Sequence, residues 1–341
     1  MTKPGLVSVI IVNYNGRKYL KNCFDSLEKV DYPDFELVFV DNGSADDSVE
    51  LIRRDYPKVK VLELKANLGL AVASNRGAEA AQGEYLFFLN NDTISDKSLL
   101  TELVKAAHSD ESIGVCACDV FTYDGKSRIG ESIGISVDRF GYPCGYSRPG
   151  HPIFYPDAAI FIRRKVFDKI SGFDPKLFLY GEDRDLCWRV WLQGYKIVPV
   201  GSARFLHDSA CGDIEKQKQY KTNVWKRELG ERNLIRSMLK NYSFLTLICI
   251  LPQYIFLSCL ELAALILCGQ WKLVKEAYFK AYAWNIQNFK DTWNEHRRIN
   301  AIRAISDRSM LKNMAGEIGK IYVFKKIGVP GSESKLYKLK A

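Results

Sequence analysis

No two cysteines in this chain have the C-x-x-C spacing of a structural zinc site, although nine are scattered along its 341 residues. An odd, dispersed set also argues against a disulfide framework, so these cysteines read as reduced and mostly buried. Cys116-Ala-Cys118 fits alternation on a strand. The first apolar run, Val7 to Val12, is followed by Asn13-Tyr14-Asn15-Gly16 rather than the G-x-G-x-x-G turn that cradles a dinucleotide, and no P-loop lysine signature occurs. The N-terminus enters this run without a signal-peptide architecture, which places the globular part in the cytoplasm. Disorder has little room either, because 47% of the residues are hydrophobic and 12% aromatic.

What is present divides in two. Residues 1–213 carry 26 basic and 30 acidic side chains, whereas residues 214–341 carry 23 and 10. The length suits one α/β domain of roughly 200 residues with an appended helical region, here 1–213 and 214–341. A basic half of this kind faces a polyanion, either nucleic acid or an anionic lipid surface.

Within the first part, Val7 to Val12 and Leu37 to Val40 are short β-branched or aromatic runs that read as buried strands. Val59 to Leu64 and Tyr85 to Leu89 follow, with helical periods between them, including a small-residue helix over Ala71 to Ala81. Continuous apolar strands alternating with helices predict a parallel sheet covered on both faces. In such sheets ligands bind beyond the carboxyl ends of the strands. Asn13–Asn15, Asp41–Ser44 and Asn90–Asp92 would then share one edge. Residues 113–160, rich in Gly, Pro and Tyr, read as an irregular acceptor-side region. A strand follows from Asp157 to Ile162, then a helix start at Arg163–Phe167, a turn at Gly172–Pro175 and a helix from Glu182 to Gln193.

Two carboxylates stand out at exposed element ends. Asp92 closes a strand, where it can reach a bound diphosphate through Mg²⁺ or Mn²⁺. Asp183 opens a helix, where a base could take a proton from an attacking hydroxyl. Capping by the helix dipole explains Glu182, Asp183 and Asp185 equally well. Asp185 also lies at i, i+4 from Arg189.

Five segments, taken together and in order, resemble family 2 glycosyltransferases of the GT-A fold. They are Val9-Ile10-Ile11-Val12-Asn13-Tyr14-Asn15, Val40-Asp41-Asn42-Gly43-Ser44, Asn67-Leu68-Gly69, Phe88-Leu89-Asn90-Asn91-Asp92 and Gly181-Glu182-Asp183-Arg184-Asp185-Leu186-Cys187-Trp188-Arg189. The match covers roughly residues 6–213, and its subgroup is similar to rhamnosyltransferase-like enzymes of surface-polysaccharide or lipid-linked glycan assembly. The resemblance implies a Rossmann-like nucleotide-diphospho-sugar transferase domain that binds a nucleotide-sugar donor. Tyr14 and Asp41 would hold the base, with Asn67 nearby and Asn91 beside the ribose and phosphates. It implies Asp92 as metal ligand; the family's usual Asp-x-Asp has Asn90 in its first place here. His207 stands where related enzymes can supply an imidazole to the same metal. Asp183 would be the base of a direct, inverting displacement, and Glu182 would lie toward the acceptor. Close approach of these two carboxyls would raise a pKa of the pair.

Phe244 to Cys268 is almost wholly apolar, interrupted by Thr246, Pro252, Gln253, Ser258 and Glu261. Pro252 divides it and Glu261 is costly at mid-bilayer, so a plain crossing is disfavoured. Eight basic residues from Lys216 to Lys240 precede it; Lys272, Lys275, Lys280, Lys290, Arg297 and Arg298 follow. Both flanks read as cytoplasmic, which leaves a re-entrant hairpin or interfacial helices. Trp271, Val274, Tyr278, Tyr282 and Phe289 recur as one face of an amphipathic helix over about 271–290. The sequence therefore predicts a helical, membrane-associated region on the cytoplasmic face of the membrane, bound to anionic lipid and serving a lipid-linked or membrane glycan acceptor. Without a zinc knuckle or RNA-binding signature, nucleic acid is not expected. Two other readings fit the same features, a polyprenyl-phosphate sugar synthase and a non-enzymatic nucleotide-binding scaffold with a membrane-binding tail.

Overall fold

The computed structural model describes residues 2–130, 133–147, 152–208 and 223–328. The chain forms two compact units, residues 1–135 with 146–210 and residues 136–145 with 211–341. The expected boundary after residue 213, and Lys216, Lys218 and Lys221 of the basic run, lie outside the described residues. Assignment of 136–145 to the second unit was not legible in the sequence.

The chain begins β1 (Lys3–Asn13), α1 (Arg17–Leu27), β2 (Phe35–Asp41), α2 (Ser48–Asp55), β3 (Lys60–Glu63), α3 (Leu70–Ala80) and β4 (Gly83–Leu89). It continues through β5 (Thr93–Ser95), α4 (Leu99–Ser109), β6 (Ile113–Thr122) and the short pair β7 (Ile135–Val137) and β8 (Pro143–Tyr146). Then come β9 (Ala159–Arg163), α5 (Arg164–Lys169), α6 (Glu182–Leu192) and β10 (Lys196–His207). Eight strands form one sheet in the order β3-β2-β1-β4-β9-β6-β10-β5. The first four are parallel, as the apolar runs predict. The all-parallel expectation fails beyond β4: β9 inserts antiparallel between β4 and β6, and β5 pairs antiparallel with β10.

Residues 113–160 are less irregular than their composition suggests, since Ile113–Thr122 is a ten-residue strand inside the sheet. Its Cys116 and Cys118 are both buried. Of the eight cysteines described, the four fully buried ones are all in the first unit. Cys249, Cys259 and Cys268 of the second are exposed, contrary to the expectation of burial.

Two arginines at the β9–α5 junction hold this mixed sheet against its helices. Arg164 donates to the carbonyls of Ala78 and Ala81 at the C-terminal end of α3 and to that of Gly83 at the start of β4. Arg163, buried, donates to the carbonyls of Ala107 and Ile113 at the end of α4. Helix α6 is enclosed on nearly all sides, with Leu186, Cys187, Trp188 and Val190 fully buried. Its Asp185 accepts from Arg189 Nε and Nη2 at 3.1 and 3.0 Å, and Arg189 Nη1 reaches the carbonyls of Ile170 and Gly172. The i, i+4 pairing read from the sequence is thus a buried anchor.

The second unit consists of helices and the β7–β8 turn region. It contains α7 (Val224–Asn241), α8 (Phe244–Leu267), α9 (Trp271–Leu273), a π-helical turn over Val274–Phe279, α10 (Lys280–Gln287), α11 (Phe289–Ile302), α12 (Asp307–Leu311) and α13 (Gly319–Ile327). Pro252 does not divide the apolar segment: α8 is one 24-residue helix, not a re-entrant hairpin, and it is long and apolar enough to cross a membrane. Glu261 does not face a bilayer core either. It pairs with Arg227, accepts from Tyr278 Oη at 2.7 Å and from Lys320 Nζ at 2.8 Å, while Lys320 also reaches Glu231 at 2.8 Å. The proposed aromatic stripe is split, because Val274 and Tyr278 are buried whereas Trp271 and Phe289 are exposed. The π-helical turn changes the angular advance per residue, so spacing that assumes a regular helix misplaces these faces.

The buried Asp185–Arg189 pair should dominate α6. Arg189→Leu removes the guanidinium from a carboxylate without solvent access and is expected to destabilise the first unit by about 3–5 kcal/mol. Adding Asp185→Leu should restore part of this loss, measured by urea unfolding. An equal or larger loss in the double variant would assign the effect to the lost carbonyl contacts instead.

Candidate active site

Strands β1 and β2 end together, with Asn13 opposite Asp41 in the register. Asn13 is fully buried, and its Nδ2 donates to Ser44 Oγ at 3.1 Å and Asp41 Oδ1 at 3.4 Å. Its Oδ1 accepts from Asn91 Nδ2 at 2.7 Å. The strand ends expected to share one edge are therefore bonded to each other. Asp41 Oδ2 also accepts from the Ser44 amide at 2.9 Å. Tyr14, beside this network, is half exposed.

The neighbouring loop closes in the same way. Asn67 Oδ1 accepts from Asn42 Nδ2 and from the Gly69 amide, both at 3.0 Å, and Asn42 Oδ1 accepts from the Leu68 amide. Gly43 has φ +79°, and a Cβ there would lie 2.6 Å from the Ala66 carbonyl carbon. Only glycine fits that turn without displacing the backbone.

At the next strand end Asp92 Oδ1 lies 3.3 Å from His207 Nε2, and Asn90 Nδ2 lies 3.4 Å from the same nitrogen. β10 carries His207 to this place, and the Asp208 amide donates to the Asp92 carbonyl. Burial alone would lower the imidazole pKa, but Asp92, Asp157 and Asp208 outweigh it and hold the ring above its ordinary value. Asp92 and His207 are the two side chains here that would hold a divalent cation. Among the described residues no group of three or more His, Cys, Asp or Glu could hold a metal. The pair offers one carboxylate oxygen and one imidazole nitrogen, a donor set that would suit a cation of the Mg²⁺ or Mn²⁺ type.

Glu182 and Asp183 open α6 after Tyr180 and Gly181, both of which have positive φ. The loop before them is fixed by Asn75, which exchanges two 2.9 Å bonds with the backbone of Phe173, and by the Leu70 amide on the Phe178 carbonyl. Among the described residues no side chain caps this helix start, and Asp183 Oδ1 accepts from the adjacent Arg184 amide at 2.6 Å. Burial raises the pKa of both carboxyls, and Asp183 raises that of Glu182 further. The proximity effect anticipated from the sequence thus operates, with burial as the larger cause. Among the described residues, Glu182 Oε2 and Arg184 Nε and Nη2 have no hydrogen-bond partner.

Residues 8–171 match the family model for glycosyl transferase family 2. The chain carries a family 2 glycosyl transferase domain. The O-antigen biosynthesis protein RfbC of Myxococcus xanthus is 29% identical over 224 residues, which is 60% of this chain and 17% of RfbC. Two solved structures agree in fold. S. aureus TarS 1-349 in complex with UDP has a TM-score of 0.50 at 21% identity, covering 69% of this chain and 65% of that one. The mannosyltransferase PcManGT from Pyrobaculum calidifontis, in complex with GDP-Man and Mn²⁺, has a TM-score of 0.50 at 16% identity, covering 90% and 86%. The glycosyl transferase domain has the GT-A fold.

One acidic group of this domain escaped the sequence reading. Asp157 accepts from Tyr146 Oη at 2.5 Å, and its charge raises the pKa of both His207 and Asp183. It stands electrostatically between the Asp92–His207 pair and the Glu182–Asp183 pair. Next to it Ala158 has φ +57°, a conformation uncommon for a residue with a side chain, and its carbonyl accepts from the Asn90 amide.

Two titrations follow from this geometry. Asp157→Asn removes a negative neighbour and should lower the apparent pKa of the Glu182–Asp183 pair, read from carboxyl ¹³C shifts. No downward movement would exclude the coupling. Because the folded pair holds its protons more tightly than the unfolded chain, the unit should lose stability as pH rises from about 4, the ordinary carboxyl range, through the raised values. Glu182→Gln should flatten that slope.

Proposed function

We propose that the domain transfers a sugar from a nucleotide diphosphate donor to a hydroxyl of a membrane-associated glycan or lipid-linked acceptor, with inversion at the anomeric carbon. The observation that carries this reading is a carboxyl pair with raised pKa, buried Glu182 and half-buried Asp183, coupled through Asp157 to an Asp92–His207 pair suited to a metal-bound diphosphate. Asp183 takes the proton from the acceptor hydroxyl as its oxygen attacks the anomeric carbon. The bond from that carbon to the diphosphate oxygen breaks, and the nucleotide diphosphate leaves. A single displacement of this kind inverts the centre.

A carboxyl whose pKa lies nearer neutrality is a better proton acceptor at the moment of attack than an ordinary aspartate. Glu182 and Arg184 present unsatisfied polar atoms beside Asp183, which suits hydroxyl groups of an acceptor sugar. Tyr14 and Asp41 are assigned to the nucleotide base, with Asn67 next to them and Asn91 at the ribose and phosphates. Asp92 and His207 would hold the Mg²⁺ or Mn²⁺, whose charge would stabilise the departing diphosphate. The half-exposed ring of Tyr14 is available for stacking, whereas buried Asp41 also shapes the loop through Ser44.

Location at the cytoplasmic membrane surface is supported by the second unit. Its α8 leaves Phe244, Leu245, Ile248, Phe256, Leu260 and Leu267 exposed, and the exposed Lys272, Lys275, Lys280 and Lys290 follow. An apolar face bordered by lysines fits an anionic lipid surface.

The test is release of nucleotide diphosphate from a panel of sugar donors in the presence of membrane extract. Asp183→Asn should reduce turnover by about 10²–10⁴-fold, the usual span for losing a general base, while donor affinity stays within a few-fold by calorimetry. Unchanged turnover would refute the base. Asp92→Ala should abolish the part of nucleotide diphosphate binding that depends on Mn²⁺ or Mg²⁺, and unaltered metal dependence would remove Asp92 from the site.

A further inference from the structure

The second unit contains a cavity of about 560 Å³ between α7, α8, α10 and the start of α11. Its wall is apolar almost throughout, with Met238 and Leu239 from α7, Leu251 and Leu262 from α8, and Ile286 and Phe289 from the helices that follow. A cavity of this size and lining sheds water and holds hydrocarbon. Among the described residues three buried polar atoms of the wall have no hydrogen-bond partner, Ser258 Oγ, Tyr282 Oη and Asn285 Oδ1; Asn285 is 5% exposed, and its Nδ2 donates to the carbonyls of Arg232 and Ala281.

The rim shows what fills the cavity. Ile255 is 58% exposed, Ile286 76% and Phe289 49%, so the lining continues without a break onto the apolar outer face of α8. Exposed Lys280 and Lys290 flank Ile286 and Phe289 in the chain. A second copy of the chain would bring the same surplus of positive charge to this face, since residues 214–341 carry 23 basic and 10 acidic side chains. An anionic lipid brings the opposite charge together with a hydrocarbon chain. We infer that the cavity binds the hydrocarbon chain of one anionic lipid molecule, drawn from the membrane surface on which the unit lies. Asn285 Oδ1 then accepts a hydrogen bond from a hydroxyl of that lipid. The inference rests on the membrane reading of α8 and is independent of the sugar-transfer reading.

The test uses the full chain and 1-myristoyl lysophosphatidylglycerol below its micelle concentration, with sn-glycerol 3-phosphate as the head group alone. Saturable binding of one lysolipid per chain is expected by calorimetry, with none for glycerol phosphate. Cys259→Trp and Leu262→Trp fill the cavity from adjacent turns of α8 and should each weaken lysolipid binding about tenfold or more. Both should still sediment with phosphatidylglycerol vesicles as wild type does. Wild-type binding that never saturates, or unchanged affinity in both filled variants, would overturn the cavity site. If the wild type sediments with vesicles but binds no lysolipid, the cavity inference fails while the membrane reading stands. Failure of the wild type to sediment with vesicles would overturn both.

Discussion

A buried amide has to satisfy its hydrogen bonds inside the protein, and Asn13 does so by tying three loops together. It stands at the end of the central parallel strand, wholly removed from water, and its only available partners are the residues that follow β2 and β4. Asp41, Ser44 and Asn91 are thereby fixed relative to one another before any ligand arrives. Gly16 is part of the same constraint: a Cβ there would lie 2.2 Å from Asn91 Nδ2 and 2.4 Å from Asn13 Oδ1. This end of β1 and β2 is thus rigid for a backbone reason, and substitution at Gly16 would displace the amides that set it.

The part of the site proposed for the acceptor is built differently. Its fixed element is α6, held by a carboxylate and a guanidinium that have no access to solvent. Breaking such a pair costs more than its presence contributes, which gives the helix one position. At its N-terminal end the opposite economy holds, because among the described residues one carboxyl, that of Glu182, and the guanidinium of Arg184 are buried with polar atoms unsatisfied. A fold retains such a local penalty only where the rest of the structure enforces it. The penalty falls on the residues for which chemistry has been proposed, and the anchoring Asp185 lies two positions away.

The donor half was legible in the sequence because its strands are short apolar runs ending in amides and acids, and parallel order brings such ends together. Asp185 with Arg189 was legible because four residues make one helical turn. Asp157 was not. In a parallel sheet the start of a strand lies at the edge away from the ligand, but β9 is antiparallel to β4, pairing Ala159 with Leu89. Its first residues therefore arrive at the crevice, where a reading that assumed parallel strands had no reason to single Asp157 out. The tail was misread for a related reason. Proline interrupts a helix only when the lost hydrogen bond and ring clash outweigh the surrounding packing, and α8 passes through Pro252 intact. One π-helical turn then shifted the face on which every later aromatic residue falls.

Asn90 has a physical rationale in the place where a carboxylate is usual. His207 already feels three acidic neighbours, Asp92, Asp157 and Asp208, and together they favour its protonated form against burial. A fourth carboxylate at position 90 would strengthen that preference, and a protonated imidazole cannot ligate a metal. The neutral amide adds no charge, and its N–H, 3.4 Å from Nε2, favours the tautomer whose lone pair is free on that nitrogen. Asp92 pulls the other way, toward a proton on Nε2. If Asp92 and His207 held a divalent cation, the ion would take the place of that proton, and a neutral Asn90 beside them would add no further charge to stabilise the protonated ring.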